Sequence, residues 1–110
     1  MRQTEYQLEY YQDCEGRIPF RVWLEGLRDV AAIARIRVRL NRVRLGNFGV
    51  TRAVGNGVLE LKMDVGPGYR IYYALSGKTV VLLLTGGDKS TQRKDIAIAK
   101  SYWKNYQEGG

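Results

Sequence analysis

Between Leu59 and Asp95 the chain carries three strand-forming segments separated by glycine-bearing turns. Leu59-Glu60-Leu61-Lys62-Met63-Asp64 alternates apolar and charged residues, the period of a strand with one buried face. Gly66-Pro67-Gly68 has the composition of a tight reversal. Tyr69-Arg70-Ile71-Tyr72-Tyr73 then resumes the alternation, and Ser76-Gly77-Lys78 leads into the apolar run from Thr79 to Thr85. Such a stretch is expected to fold as a meander. Leu59, Leu61, Met63, Ile71, Tyr73 and Leu75 face a core, while Glu60, Lys62, Asp64, Arg70 and Tyr72 face away. A register with Lys62 opposite Arg70 sets two cations on one face, which is unfavourable unless an anion lies between them. The pattern therefore points to a phosphate site. Thr79 to Thr85 has no polar face, so it is expected inside the sheet with both faces covered.

The segments before the meander supply helices. Residues Thr4 to Tyr11 alternate, with Tyr6, Leu8 and Tyr10 on one side, and read as a first strand. Pro19 stands where a helix accepts proline, at its first turn, and Phe20, Val22, Trp23, Leu24 and Leu27 give that short helix an apolar side. Trp23 reads as a core residue before a ligand platform. Asp29 is placed to cap a second helix ending near Arg44. Ile33, Ile36, Leu40 and Val43 recur on it at helical spacing. Gly46 closes it with the residue that best adopts a left-handed cap. Val50 to Val54 reads as a short strand leading into the Gly55-Asn56-Gly57 hairpin turn, with Arg52 facing Glu60 across it. A last helix follows Asp88 or Ser90, both of which suit its cap, and turns Ile96, Ala99, Tyr102, Trp103 and Tyr106 inward. The coarse order is β-α-α-β-β-β-α, an α/β chain of the α+β type forming one domain over residues 1–110.

Charge narrows the function. Eighteen Lys and Arg stand against 11 Asp and Glu, a net charge of +7 in 110 residues. A small basic domain meets nucleic acid, an anionic surface or an acidic protein. The chain has no histidine, which removes the commonest general base and the Ser-His-Asp and Cys-His arrangements. Cys14 is the single cysteine, so there is no intrachain disulfide and no cysteine-based zinc site. The polar N-terminus carries no signal peptide, and the longest apolar run is too short to span a bilayer. The expectation is a cytoplasmic protein with no membrane segment, no metal and no cofactor.

Lys62, Arg70, Tyr72, Lys89, Arg93 and Lys94 come from the meander and the loop after it, and antiparallel pairing brings them to one surface. Such a cluster suits cleavage of RNA by its own 2′-OH. The protein need only hold the phosphodiester in line and stabilise charge at the crowded phosphorus. Proton transfer then falls to a lysine, a carboxylate or a tyrosine, with Lys62 and Asp95 as candidates. Arg52, Arg93 and Lys94 are candidate RNA contacts, and Tyr72 is a candidate for stacking on a base. On the second helix Arg35, Arg39 and Arg42 form either a solvated face or a docking surface for phosphates or an acidic protein segment.

The runs Leu59-Glu60-Leu61-Lys62, Gly68-Tyr69-Arg70-Ile71-Tyr72-Tyr73 and Leu83-Leu84-Thr85-Gly86-Gly87-Asp88-Lys89-Ser90-Thr91-Gln92-Arg93-Lys94-Asp95-Ile96 resemble the RelE/HigB-type toxin superfamily. They look most like its phage-derived addiction module killer protein branch. The Gly-Gly-Asp-Lys-Ser-Thr-Gln run is the most specific part, and the likeness extends to Pro19-Phe20 and Trp23-Leu24. The resemblance implies a RelE-like compact fold with a mainly antiparallel four-stranded sheet. It implies a toxin that cleaves mRNA on the ribosome without a metal, neutralised by a cognate antitoxin, often a helix-turn-helix protein from the same operon. It matches Lys62 and Arg70 to the strand residues that hold the scissile phosphate, and Lys89 to the basic residue after the last strand. Where several relatives carry a tyrosine early in the last helix, this chain has Asp95-Ile96. Toxins of the superfamily that act by protein binding, and plain RNA- or ribosome-binding domains, are the alternative readings.

Overall fold

Alternation and turn chemistry set the strands. In a computed structural model, which describes residues 5–109, β2 (Thr51–Gly55) and β3 (Val58–Lys62) form a hairpin, followed by β4 (Arg70–Ser76) and β5 (Val80–Gly87). At the hairpin turn Gly55, Asn56 and Gly57 all have positive φ, at 106°, 58° and 85°. Glycine and asparagine adopt that region at least cost. Ahead of the meander lie β1 (Gln7–Tyr10), α1 (Pro19–Glu25) and α2 (Val30–Arg44), and after it a single 3-10 turn (Lys89–Thr91) and α3 (Gln92–Gln107). The Asp29 carboxylate accepts from the Ala32 N–H at 3.0 Å and caps α2. Gly46, at φ 93°, follows the end of that helix.

The sheet has five strands in the order β1-β5-β4-β3-β2, rather than the four expected. The segment Thr51–Gly55, read as a short strand but not counted in the four, pairs with β3 with a register shift between Ala53 and Gly55 and takes its own place at an edge. At the other edge β1 joins β5 in parallel, and all other pairings are antiparallel. The first strand, expected from Thr4, begins at Gln7, and Thr4 itself lies outside the described residues. β5 is interior and covered on both faces, as its composition requires, and it runs on through Gly86 and Gly87.

Two cores form, one on each face. α1 and α2 lay Phe20, Leu24, Ile36, Leu40 and Val43 against Leu61, Ile71, Tyr73, Val81 and Leu83. α3 lays Ala99 and Trp103 against Val58, Tyr72, Ala74, Leu82 and Leu84. Each fully buried large side chain contributes about 1.5–3 kcal/mol relative to exposure. The second core corrects the expected orientation of the meander. Glu60, Arg70 and Tyr72 do point away from the first core, but α3 covers that face, leaving them 2%, 6% and 0% exposed. Leu75, expected inward, is half exposed near the end of β4.

The two glycines that end β5 allow this layering. A Cβ at Gly86 would overlap the indole of Trp23 on α1, and one at Gly87 would overlap the Asp95 carboxylate and Thr91 at the start of α3. Gly86-Gly87 is a place where elements on both faces approach the strand closely. Among the described residues no helix is long and apolar enough to cross a membrane.

Candidate functional site

Strand register assembles the site. Lys62 pairs with Arg70 and Glu60 with Tyr72 across β3 and β4, and Arg52 pairs with Glu60 across β2 and β3. Directly opposed residues share a face, so Arg52, Glu60, Lys62, Arg70 and Tyr72 all lie on the side that α3 covers. Gln92, the first residue of α3, reaches back over Glu60. Val50, Thr51, Arg52, Glu60, Lys62, Arg70 and Gln92 line a cleft of about 330 Å³.

Glu60 is the hub of this cleft. It accepts from Arg52 Nε at 2.8 Å and from Gln92 Nε2 at 2.8 Å, and Arg70 Nε stands 3.9 Å from its Oε1. Burial alone raises the pKa of its carboxyl, but the bonds from Arg52 and Gln92 outweigh this and hold it below the ordinary glutamate value. Glu60 is therefore ionised at neutral pH, close to two guanidinium groups.

Arg70 is held from behind. Its Nη1 donates to the Gly68 carbonyl at 2.9 Å, while its Nε is buried without a hydrogen-bond partner. Burying an unpaired donor on a charged group is costly, and the Glu60 carboxylate at 3.9 Å offsets part of that cost for Arg70 Nε. Its cross-strand neighbour Lys62 is exposed, and its ammonium lies 3.8 Å from the well-exposed Asp64, a pair worth little. The buried hydroxyl of Tyr72 also lacks a hydrogen-bond partner; it lies near Glu60 without bonding geometry. Desolvation, with the negative charges of Glu60 and Asp95 adding to it, pushes the Tyr72 pKa well up and keeps the phenol neutral.

The remaining candidates spread along the approach to α3. Asp88 caps the 3-10 turn, accepting from the Ser90 N–H at 2.8 Å, and its own N–H donates to Thr91 Oγ1 at 3.3 Å in a capping box. Thr91 Oγ1 donates in turn to Asp95 Oδ2 at 2.5 Å. That bond, and its seat against Gly87, place Asp95 beneath the helix start and outside the cleft lining. Lys89, Arg93 and Lys94 are exposed. A Cβ at Gly68 would meet both the Arg70 guanidinium and the Lys89 Cβ, so the Lys89 side chain leaves the backbone near Arg70 but outside the cleft lining.

The structure thus brings Arg52, Lys62 and Arg70 together, while Lys89, Arg93 and Lys94 are exposed and are not among the residues that line the cleft. Two expectations are corrected. Tyr72 is not open to a base, because α3 covers it, and Tyr69 and Tyr73 are buried too. Arg39 does not stand free beside Arg35 and Arg42. Its Nη1 donates to the Lys62 carbonyl at 3.1 Å, and its Nη2 to the carbonyls of Phe48 at 3.2 Å and Val50 at 2.9 Å. Desolvation, with Arg42 close by, lowers its pKa from the ordinary arginine value. Arg35 and Arg42 are exposed. The sequence singled out neither Glu60 as a proton acceptor nor Gln92. Alternation already set Glu60 on the face of Lys62 and opposite Arg52, which was the available signal. Among the described residues no group of three His, Cys, Asp or Glu side chains gathers where it could hold a metal.

The profile of the family described as "Phage derived protein Gp49-like (DUF891)" matches residues 23–104, a span that contains every residue lining the cleft. An uncharacterized protein of Haemophilus influenzae is 46% identical to this chain over 83 residues, covering 76% of this chain and 84% of that protein.

Proposed function

The chain belongs to the Gp49-like family of phage-derived proteins, and from that premise we propose that it is the toxin of a type II toxin–antitoxin system of the RelE/HigB type. Residues 1–110 act as one toxin domain in the cytoplasm, cleaving mRNA on the ribosome and bound in the resting state by a cognate helix-turn-helix antitoxin. The observation that carries this reading is Arg70: a buried guanidinium whose Nε makes no hydrogen bond, beside the exposed cation Lys62, in the lining of a cleft of about 330 Å³.

Arg70 and Lys62 hold the non-bridging oxygens of the scissile phosphate and stabilise the charge that grows there in the transition state. The 2′-OH gives its proton to the Glu60 carboxylate as O2′ bonds to phosphorus. The P–O5′ bond breaks, leaving a 2′,3′-cyclic phosphate, and O5′ takes a proton from the Lys89 ammonium. Glu60 is preferred to Asp95 because it lines the cleft, and to Lys62 because it is an anion, whereas Lys62 is assigned as a cation on the phosphate. Asp95 positions the start of α3 through Thr91. Arg93 and Lys94 meet the flanking RNA backbone, and a bound phosphate draws Arg52 from Glu60. A low carboxylate pKa makes Glu60 a weak base, so much of the acceleration comes from in-line positioning.

The test is induced expression in a bacterial host with primer extension on a chosen transcript, for the wild type and Arg70→Ala. Cleavage within coding regions that needs both translation and Arg70 supports the reading. Growth arrest with intact transcripts overturns the nuclease and favours a toxin that acts by protein binding. Healthy growth with abundant folded protein overturns toxicity and leaves an RNA- or ribosome-binding domain.

A further inference from the structure

We propose that the outer face of α2 is a docking groove for an acidic, amphipathic segment of a protein partner. Ala34, Arg35, Val38, Arg39, Arg42 and Met63 line a groove of about 350 Å³ on the sheet face opposite the cleft. Its floor is apolar. Ala34, Val38 and Met63 form it, and Val30, one turn before Ala34 on α2, extends the stripe beyond the groove; Val30 and Val38 are 78% and 52% exposed. A helix presents residues at that spacing as one stripe. Its rim is cationic, since Arg35, Arg39 and Arg42 line the groove and no carboxylate does. Arg39 also keeps a buried Nε without a hydrogen-bond partner. The fitting occupant has apolar side chains at helical spacing, flanked by carboxylates. A nucleic acid strand would satisfy the arginines but leave the valine stripe unused.

The groove also touches the cleft through the backbone. Arg39 donates to the carbonyls of Lys62 and Val50, two residues that line the cleft on the other side of the sheet. The Val50 carbonyl further accepts from the Lys62 N–H at 3.4 Å. A carboxylate that drew the Arg39 guanidinium toward the groove would loosen the end of β3 where Lys62 sits. Docking rests on the groove alone, whereas its effect on RNA cleavage rests on the function proposed above.

The probe is a fluorescein-labelled 16-residue helical peptide with leucines at i, i+4, i+7 and i+11 flanked by glutamates, read by anisotropy on the full chain. Saturable binding is expected. It should weaken at least tenfold for Arg35→Glu/Arg42→Glu and for Val38→Asp, change less than twofold for Arg70→Ala, and be lost when the glutamates become lysines. All four substituted residues but Arg70 are exposed, and circular dichroism checks each variant's fold. Binding of equal strength to Arg35→Glu/Arg42→Glu, insensitivity to Val38→Asp, or no saturable binding overturns the groove. So does an oligoribonucleotide that competes for it at equal charge. Amide exchange at Lys62 reads the coupling without reference to activity. Faster exchange with peptide bound supports it, and unchanged exchange overturns the coupling while leaving the docking groove in place.

Discussion

Glu60→Gln separates the two roles open to a carboxylate in a cationic cleft. The substitution keeps size and an acceptor for Arg52 Nε, now at 2.8 Å from Glu60. It removes the charge that faces Arg52 and Arg70. In the free protein the loss weakens two charge-assisted bonds and leaves buried Arg70 less compensated, which costs about 1–3 kcal/mol of stability. Arg52 is well exposed and keeps its hydration, which holds the figure below the cost of orphaning a fully buried pair. With RNA bound the sign reverses. A phosphate roughly 6 Å from Glu60 is repelled by about 1–3 kcal/mol at an effective dielectric of 20–40, and salt reduces this to about 1 kcal/mol. Removing the charge should then tighten binding of an RNA with a 2′-deoxy scissile position about fivefold. Cleavage should move the other way, falling by about 10²–10⁴-fold if Glu60 takes the 2′-OH proton. The assay pairs filter binding of the deoxy substrate with single-turnover cleavage on programmed ribosomes, below the variant's melting temperature. Tighter binding with unchanged or faster cleavage would refute the base assignment and reduce Glu60 to a counter-charge for the arginines.

Three further outcomes follow from the same contacts. The Glu60 pKa is depressed on folding, so its contribution to stability is complete above the unfolded glutamate value of about 4.3 and is lost as pH falls through the lower folded value; the wild-type advantage over Glu60→Gln in urea unfolding should be constant near neutrality and shrink below about pH 4. Arg39→Lys keeps the charge but cannot reach the carbonyls of Phe48, Val50 and Lys62 together, and thermal unfolding should show a loss of about 1–3 kcal/mol. Gly86→Ala drives a methyl into Trp23 and should cost about 1–3 kcal/mol or more by overpacking. Gly87→Ala meets the Asp95 carboxylate instead, so its signature is altered amide exchange at the start of α3, and an unchanged spectrum there would contradict the packing described.

Much of the site is legible in spacing. Alternation along Leu59–Asp64 and Tyr69–Tyr73 implied the face shared by Glu60, Lys62, Arg70 and Tyr72, and the register that the sequence offered as one possibility, Lys62 beside Arg70 and Arg52 beside Glu60, is the one the strands adopt. Asp29 and Gly46 marked the ends of α2, because these residues serve backbone groups within a few positions of themselves, while Asp88, expected at the cap of α3, caps the 3-10 turn before it. Such features are local, and a local period states which residues share a face. It does not state what lies on that face. Only the tertiary structure lays α3 over the second side of the sheet. This buries Tyr72, converts Glu60 from a surface partner of Arg52 into an ionised hub, and leaves Arg70 Nε without a partner. It also takes Arg39 out of a helical arginine face and spends its guanidinium on three distant carbonyls, and it makes Gly86-Gly87 a point of close approach. Burial, desolvation and long-range hydrogen bonding depend on which elements meet across tens of residues, and for Glu60, Arg70 and Arg39 those meetings set the chemistry.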